Sequence, residues 1–81
     1  MAASIVNFAF TPANLTVPKG STVRWTNTDS AAHTVTADSG GFSSSTLADG
    51  GTFSHEFTTT GTFAYHCAIH PSMTGTVTVS G

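Results

Sequence analysis

The most reactive side chains of this sequence lie together near its C-terminus, in the segment Cys67-Ala-Ile-His70-Pro-Ser-Met73. The segment offers a thiolate, an imidazole and a thioether within seven residues, and Cys67 is the only cysteine of the chain. This soft, mixed donor set suits copper, which cycles between two oxidation states, far better than calcium, magnesium or iron. Two His, one Cys and a weak axial Met form a mononuclear copper site for electron transfer. The segment lacks only the second histidine.

The remaining histidines differ in how well they could complete such a site. His33, in His33-Thr-Val-Thr-Ala37, is the natural donor from a neighbouring strand. His66 is adjacent to Cys67 but points to the opposite face of its strand, so we expect it to face solvent. His55 shares a strand face with two phenylalanines, and we expect a half-buried structural histidine there.

Length and composition predict a small protein without a membrane segment. With 81 residues we expect one domain over 1–81, in which residues 1–3 are a start or tail. No segment approaches the roughly 18 apolar residues of a membrane-spanning helix, and no signal-peptide pattern opens the chain. Met1-Ala2 has the form of an expression start, so we expect a leader or anchor to have been removed from a periplasmic or otherwise extracytoplasmic protein.

Charged residues are unusually sparse. The chain has two Lys and Arg residues against four Asp and Glu residues, which leaves no basic patch for nucleic acid or an anionic membrane. There is also no acidic stripe for a basic partner. A single cysteine excludes an internal disulfide bond.

Serine and threonine alternate with valine, phenylalanine and tyrosine at period two, which is typical of β-strands. Gly and Pro separate the short strands, and no stretch has helical periodicity for more than a turn, so an all-β Greek-key sandwich of about seven to eight strands is predicted. In the strand that ends at Cys67, alternation points Phe63, Tyr65 and Cys67 inward. The candidate strands are Ser4–Phe10, Asn14–Val17, Ser21–Asn27, His33–Ala37, Thr52–Thr58, Thr62–Cys67 and Thr74–Ser80.

Two segments resemble the cupredoxins, the type 1 blue copper proteins: Trp25-Thr-Asn27 with the later His33, and the run Gly61–Gly75. Within that family the short Cys-x2-His-x2-Met loop is most similar to amicyanin and plastocyanin-like members. The resemblance implies one copper per chain. It implies that the copper is bound by His33, Cys67, His70 and Met73, with His70 as the exposed ligand nearest a redox partner.

We therefore expect a one-electron carrier and not an enzyme. We expect redox partner proteins to dock at an apolar patch around His70, and the protein to act as a monomer. A catalytic Cys/His pair is unfavourable because the thiol points inward and no helix is available to activate it. A structural zinc site normally has more thiolates or histidines. The alternative that stays open is a non-redox copper carrier or storage domain that uses the same ligands.

Two neighbours of the ligands carry further expectations. The backbone N–H of Thr34 is expected to donate to the Cys67 sulfur, whereas its short side chain leaves a link between the two ligand loops in doubt. Relatives commonly have Pro where this chain has Ile69, so the N–H of Ile69 is a candidate second donor to the sulfur.

Overall fold

Eight strands and no helix make up the chain in this computed structural model, which describes residues 1–81. The alternation of small polar and apolar residues produces strands with one buried and one exposed face, as the sequence predicts. No helix exists that could span a membrane. In chain order the strands are β1 (Ala2–Val6), β2 (Ala9–Thr11), β3 (Asn14–Pro18), β4 (Ser21–Asn27), β5 (Thr36–Ala37), β6 (Thr52–Phe57), β7 (Gly61–His66) and β8 (Thr74–Ser80).

The strands form two four-stranded sheets, with the orders β2-β1-β4-β6 and β3-β8-β7-β5. Most neighbours are antiparallel, but β1 runs parallel to β4 and β3 runs parallel to β8. The buried side chains of both sheets form one core between them. The all-β sandwich expected from the sequence is therefore confirmed.

The sequence pattern located some strands to the residue and missed breaks in others. Ser21–Asn27 and Thr74–Ser80 are β4 and β8 as predicted. The single strand predicted over Ser4–Phe10 is wrong, because a turn at Asn7 and Phe8 divides it into the antiparallel hairpin β1–β2. The strand predicted over His33–Ala37 is reduced to β5, and His33 instead makes an isolated bridge to Leu47.

Residues 1–3 do not form the tail that we expected. Ala2 and Ala3 belong to β1, where they lie opposite Arg24 and Trp25 of β4. Ala3 is buried in the core, and the backbone of Met1 exchanges hydrogen bonds with β4. Ala2 is exposed and Ala3 is buried, so the strand alternation of β1 begins at Ala2.

Aromatic packing fixes the strand that carries the cysteine. Tyr65 and Trp25 are wholly buried, and the Trp25 Nε1–H donates to the Tyr65 hydroxyl at 3.2 Å. The Tyr65 ring packs so closely on Gly75 that a Cβ there would lie 2.5 Å from the ring. Since Cys67 follows Tyr65 by two residues, the same alternation directs its sulfur inward at the end of β7.

Candidate metal centre

The side chains of His33, Cys67 and His70 meet beyond the end of β7, although His33 precedes Cys67 by 34 residues in the chain. The ligand atoms of His33, Cys67 and His70 all lie within 4.8 Å of one another. The Cys67 Sγ is 3.7 Å from the His33 Nδ1 and 3.8 Å from the His70 Nδ1. His33 and Cys67 are fully buried, whereas His70 is partly exposed.

These separations fit a metal ion placed between the donors. A nitrogen ligand at about 2.0 Å and a sulfur ligand at about 2.3 Å from one metal, in a trigonal arrangement, are about 3.7 Å apart. The measured distances of 3.7 and 3.8 Å agree with that value. One thiolate and two imidazoles are also the equatorial donors that a copper electron-transfer site requires.

Met73 closes the loop that begins at Cys67. The Cys67 N–H donates to the Met73 carbonyl at 3.1 Å, and the Met73 N–H donates to the His70 carbonyl at 2.9 Å. The Met73 side chain is buried in the same core cluster as Cys67. The spacing of the motif thus produces a compact turn whose ends are joined by backbone hydrogen bonds.

The orientation of the His33 ring is set by Asp29. The His33 Nε2 lies 2.9 Å from the Asp29 Oδ2, and Asp29 also accepts hydrogen bonds from the N–H groups of Asn7 and Phe8. The hydrogen bond from Phe8, together with those from Asn7 and His33, lowers the pKa of Asp29 below its ordinary value. An ionised carboxylate only accepts, so the proton must be on Nε2 and the Nδ1 lone pair is free to bind a metal.

Asn27 fixes the segment that carries Asp29 and His33. Its fully buried side chain accepts from the Asp29 N–H and donates to the carbonyls of Ala31 and Leu47, all at 2.9 Å. The backbone of His33 is paired with Leu47 in both directions. The residues before His33 are therefore held by side-chain hydrogen bonds where no regular strand holds them.

Thr34 connects the two ligand segments. Its N–H donates to the Cys67 Sγ at 3.4 Å, as the sequence predicted. Its hydroxyl accepts from the Ala68 N–H at 2.8 Å. The cross-loop link that the short side chain left in doubt is thus present, since the loops approach closely enough for a threonine to span them.

The second donor expected for the sulfur was wrong. The Ile69 N–H makes no hydrogen bond with the Cys67 Sγ; the backbone donor to the sulfur is the Thr34 N–H. The turn at this position directs the Ile69 side chain outward, where it is 46% exposed. The Ile69 backbone therefore gives no support to the thiolate.

The surroundings of Cys67 favour the thiolate. Burial by itself raises the pKa of the thiol, but the hydrogen bond from the Thr34 N–H and the contacts with the His33 ring and with the backbone and ring of His70 oppose it. Together they lower the pKa of Cys67 from 9.0 to about 6. Because metals bind the thiolate, a lowered pKa prepares Cys67 for binding near neutral pH.

The family of the chain follows from a comparison of its sequence with protein-family models. Residues 1–80 match copper-binding proteins of the plastocyanin/azurin family. The chain belongs to this family. Its cofactor is therefore copper, in agreement with the donor set that the structure assembles. No curated protein sequence matches the chain.

Solved structures of cupredoxins have the same fold. An amicyanin variant in its Cu(I) form has a TM-score of 0.92 and 30% identity, covering 99% of this chain and 81% of that one. A purple cupredoxin from Nitrosopumilus maritimus has a TM-score of 0.90 and 34% identity, covering 98% of both chains. A copper-containing nitrite reductase from Thermus scotoductus has a TM-score of 0.93 and 29% identity over the whole chain, but over only 22% of that enzyme.

Two residues of this cupredoxin site were missed by the sequence reasoning. Asp29 carried no signal beyond its place between Asn27 and His33, because its role depends on a turn that the strand pattern hid. Phe8 was assigned to the interior of a strand, but its ring lies edge-on against the rings of His33 and His70. It therefore adds an aromatic ring to the apolar surface that we expected around His70.

The other two histidines lie outside the donor cluster. The His66 Nδ1 is 2.6 Å from the Asp38 carboxylate, on the face of β7 opposite to Cys67. His55 is half-buried against the rings of Phe42 and Phe57. Both positions agree with the roles expected from strand alternation.

Proposed function

We propose that this cupredoxin is a one-electron carrier with a mononuclear type 1 copper site whose ligands are His33, Cys67, His70 and Met73. The observation that supports this best is the separation of the sulfur from the two Nδ1 atoms, 3.7 and 3.8 Å, within a hydrogen-bonded frame. Copper, when bound, supplies the change between Cu(II) and Cu(I). The residues of the chain would bind the copper and hold its ligands in place.

The frame limits how much the donors can rearrange when the charge of the site changes. Asp29 holds the His33 ring, and Thr34 holds both the sulfur and the backbone of the second ligand loop. Such supporting contacts orient ligands and tune the metal. Met73 would supply a weakly binding thioether, a donor that tunes the reduction potential of such a site.

Electrons are proposed to enter and leave through the partly exposed His70. The exposed ring of Phe8 packs against the His70 ring, and the exposed side chain of Ile69 belongs to the residue just before His70. An exposed apolar patch of this kind marks a docking site for redox partner proteins. With few charges on the molecule, electrostatic steering toward the partner is weak.

The proposal includes a monomeric protein that works outside the cytoplasm, in the periplasm or an equivalent compartment, and that is not an enzyme. The likeness to nitrite reductase covers a fifth of that enzyme and supports a shared copper fold, not a shared reaction. The competing role is a non-redox copper carrier or store. Nothing in the donor geometry favours it, because the site is closed around a buried thiolate.

The ligand assignment is tested by replacing the thiolate. Cys67→Ser should abolish the intense visible thiolate-to-copper band of the Cu(II) protein, because the serine hydroxyl cannot supply that transition. His66→Ala is the matched control, since it changes the adjacent residue on the opposite face and should leave the band in place. An undiminished band in the Cys67→Ser protein would refute the assignment. A band lost in the control as well would point to general disruption of β7.

A further inference from the structure

A single exposed ring covers both histidines of the proposed copper site. The Phe8 ring centroid is 5.2 Å from that of His33 and 5.0 Å from that of His70, with interplanar angles of 87° and 88°. The two imidazole rings are themselves 5.1 Å apart. Phe8 thus bridges the buried ligand and the partly exposed one while its own side chain stays 52% exposed.

The backbone at Phe8 has a conformation that phenylalanine rarely adopts. Asn7 and Phe8, the two turn residues of the β1–β2 hairpin, have φ angles of 52° and 57°. Asn is common in this left-handed region and is favoured in such two-residue turns, whereas a bulky side chain there is unusual. Strain of this kind persists where the surrounding structure enforces it, and it gathers at functional sites.

The enforcing contacts come from Asp29. Its Oδ1 accepts from the Asn7 N–H at 2.7 Å and its Oδ2 accepts from the Phe8 N–H at 2.9 Å. The parallel pairing of β1 with β4 makes this possible, because it places Ile5 opposite Asn27 and so brings the following turn beside Asp29. The turn is therefore fixed by the strand that leads into the ligand segment.

The Asp29 carboxylate also accepts a hydrogen bond from His33, one of the proposed copper ligands. The Asp29 Oδ2 that accepts from Phe8 accepts from the His33 Nε2–H at 2.9 Å. Asp29 thus fixes the His33 ring through a hydrogen bond. Through the turn backbone, it also fixes the Phe8 ring that packs on both imidazoles. Asp29 and Phe8 act on the same two histidines from two directions.

We propose that the Asn7–Phe8 turn is a clamp in which Phe8 is a positioning residue. Asp29 fixes the Phe8 backbone, and the Phe8 ring keeps the imidazoles of His33 and His70 in their binding orientation. The ring thereby slows the loss of copper to solvent. The inference rests on the ligand set proposed above. It adds that the outer wall of the site is supplied by the hairpin and not by the ligand loop alone.

The test compares two glycine variants of neighbouring turn residues. Phe8→Gly and Asn7→Gly both suit a positive φ and both keep the N–H that donates to Asp29, but only the first removes the ring. Imidazole ¹³C relaxation in the metal-free proteins reports ring motion. Transfer of Cu(II) from the loaded proteins to a chelator reports its rate of loss.

Phe8→Gly should give more mobile imidazole rings and a loss of Cu(II) about tenfold faster, in the range found for contacts that support metal ligands. Asn7→Gly should resemble the unmodified protein in both measurements. Phe8→Tyr, which keeps an aromatic ring, should restore slow loss.

Two results would overturn the clamp: equal rates of copper loss for the two glycine variants, or imidazole motion that is unchanged by Phe8→Gly. Failure of the ligand assignment has a different signature, because the unmodified protein would then bind Cu(II) without a thiolate band. In that case the relaxation comparison in the metal-free proteins decides on the clamp by itself.

Discussion

The two halves of the candidate copper site are held in different ways. His33 is fully buried, and its position depends on Asn27, Asp29 and Leu47, which come from a strand end and two separate loops. His70 lies in a seven-residue loop that closes on itself through backbone hydrogen bonds between Cys67, His70 and Met73. One half is thus positioned by contacts that include a distant segment of the chain, and the other mainly by contacts within its own loop.

This difference explains what each half can contribute. The His33 side is an extensively hydrogen-bonded wall, since Asn27 is buried, the Asp29 side chain is only 12% exposed and each polar atom of the buried side chains has a partner. The loop side brings a ligand to the surface, where a redox partner can approach it. The His33 side should therefore be the more sensitive to substitutions far away in sequence, whereas the loop side depends on distant residues only through Phe8 and Thr34.

The largest effect is expected from Asn27→Ala, which breaks the His33 side. The change leaves the Asp29 N–H and the carbonyls of Ala31 and Leu47 without their side-chain partner. The Leu47 carbonyl keeps its hydrogen bond from the His33 N–H, so two groups lose their partner outright. Because an unsatisfied buried polar group costs about 1–3 kcal/mol, we expect the free energy of unfolding of the metal-free protein to fall by about 3 kcal/mol. Urea denaturation measures this change.

Asn14→Ala provides the matched control for that measurement. Asn14 accepts a hydrogen bond from Thr76, but the pair is exposed. A surface substitution of this kind should change the free energy of unfolding by less than about 0.5 kcal/mol. Equal effects at the two positions would show that the buried asparagine does not support the His33 segment.

A smaller effect is expected from Thr34→Val, which cuts the connection between the two halves. Valine has a similar shape but no hydroxyl, so the Ala68 N–H loses its acceptor while the Thr34 N–H bond to the sulfur is kept. We expect a loss of about 1–2 kcal/mol in the free energy of unfolding and faster copper release, with the visible band retained.

Thr36→Val is the comparison for Thr34→Val, because the Thr36 hydroxyl contacts only that of Thr34. It should leave copper release nearly unchanged. Equal release rates for Thr34→Val and the unmodified protein would mean that other contacts hold the two halves together.

The same contrast accounts for what the sequence could predict. The donor types and spacing from Cys67 to Met73 are local, and strand alternation correctly directs Tyr65 and Cys67 inward. Both features depend on residues close together in the chain.

The supports of His33 could not be predicted in that way. Asp29 acts through a turn of the β1–β2 hairpin, and the position of that turn depends on the parallel pairing of β1 with β4. A run of alternating residues does not reveal two positive φ angles at Asn7 and Phe8, so the hairpin was read as one strand. Pairing between distant strands is the information that a local pattern lacks.

Cyclic voltammetry of the copper-loaded protein, with the visible spectrum recorded in both oxidation states, tests the central claim most directly. An electron carrier should bind one Cu(II) per chain with an intense thiolate band. It should lose that band on one-electron reduction and regain it in full on reoxidation, without releasing the metal to a chelator present throughout. Release of copper on reduction, or the absence of a reversible one-electron wave, would contradict electron transfer and favour a carrier or storage role.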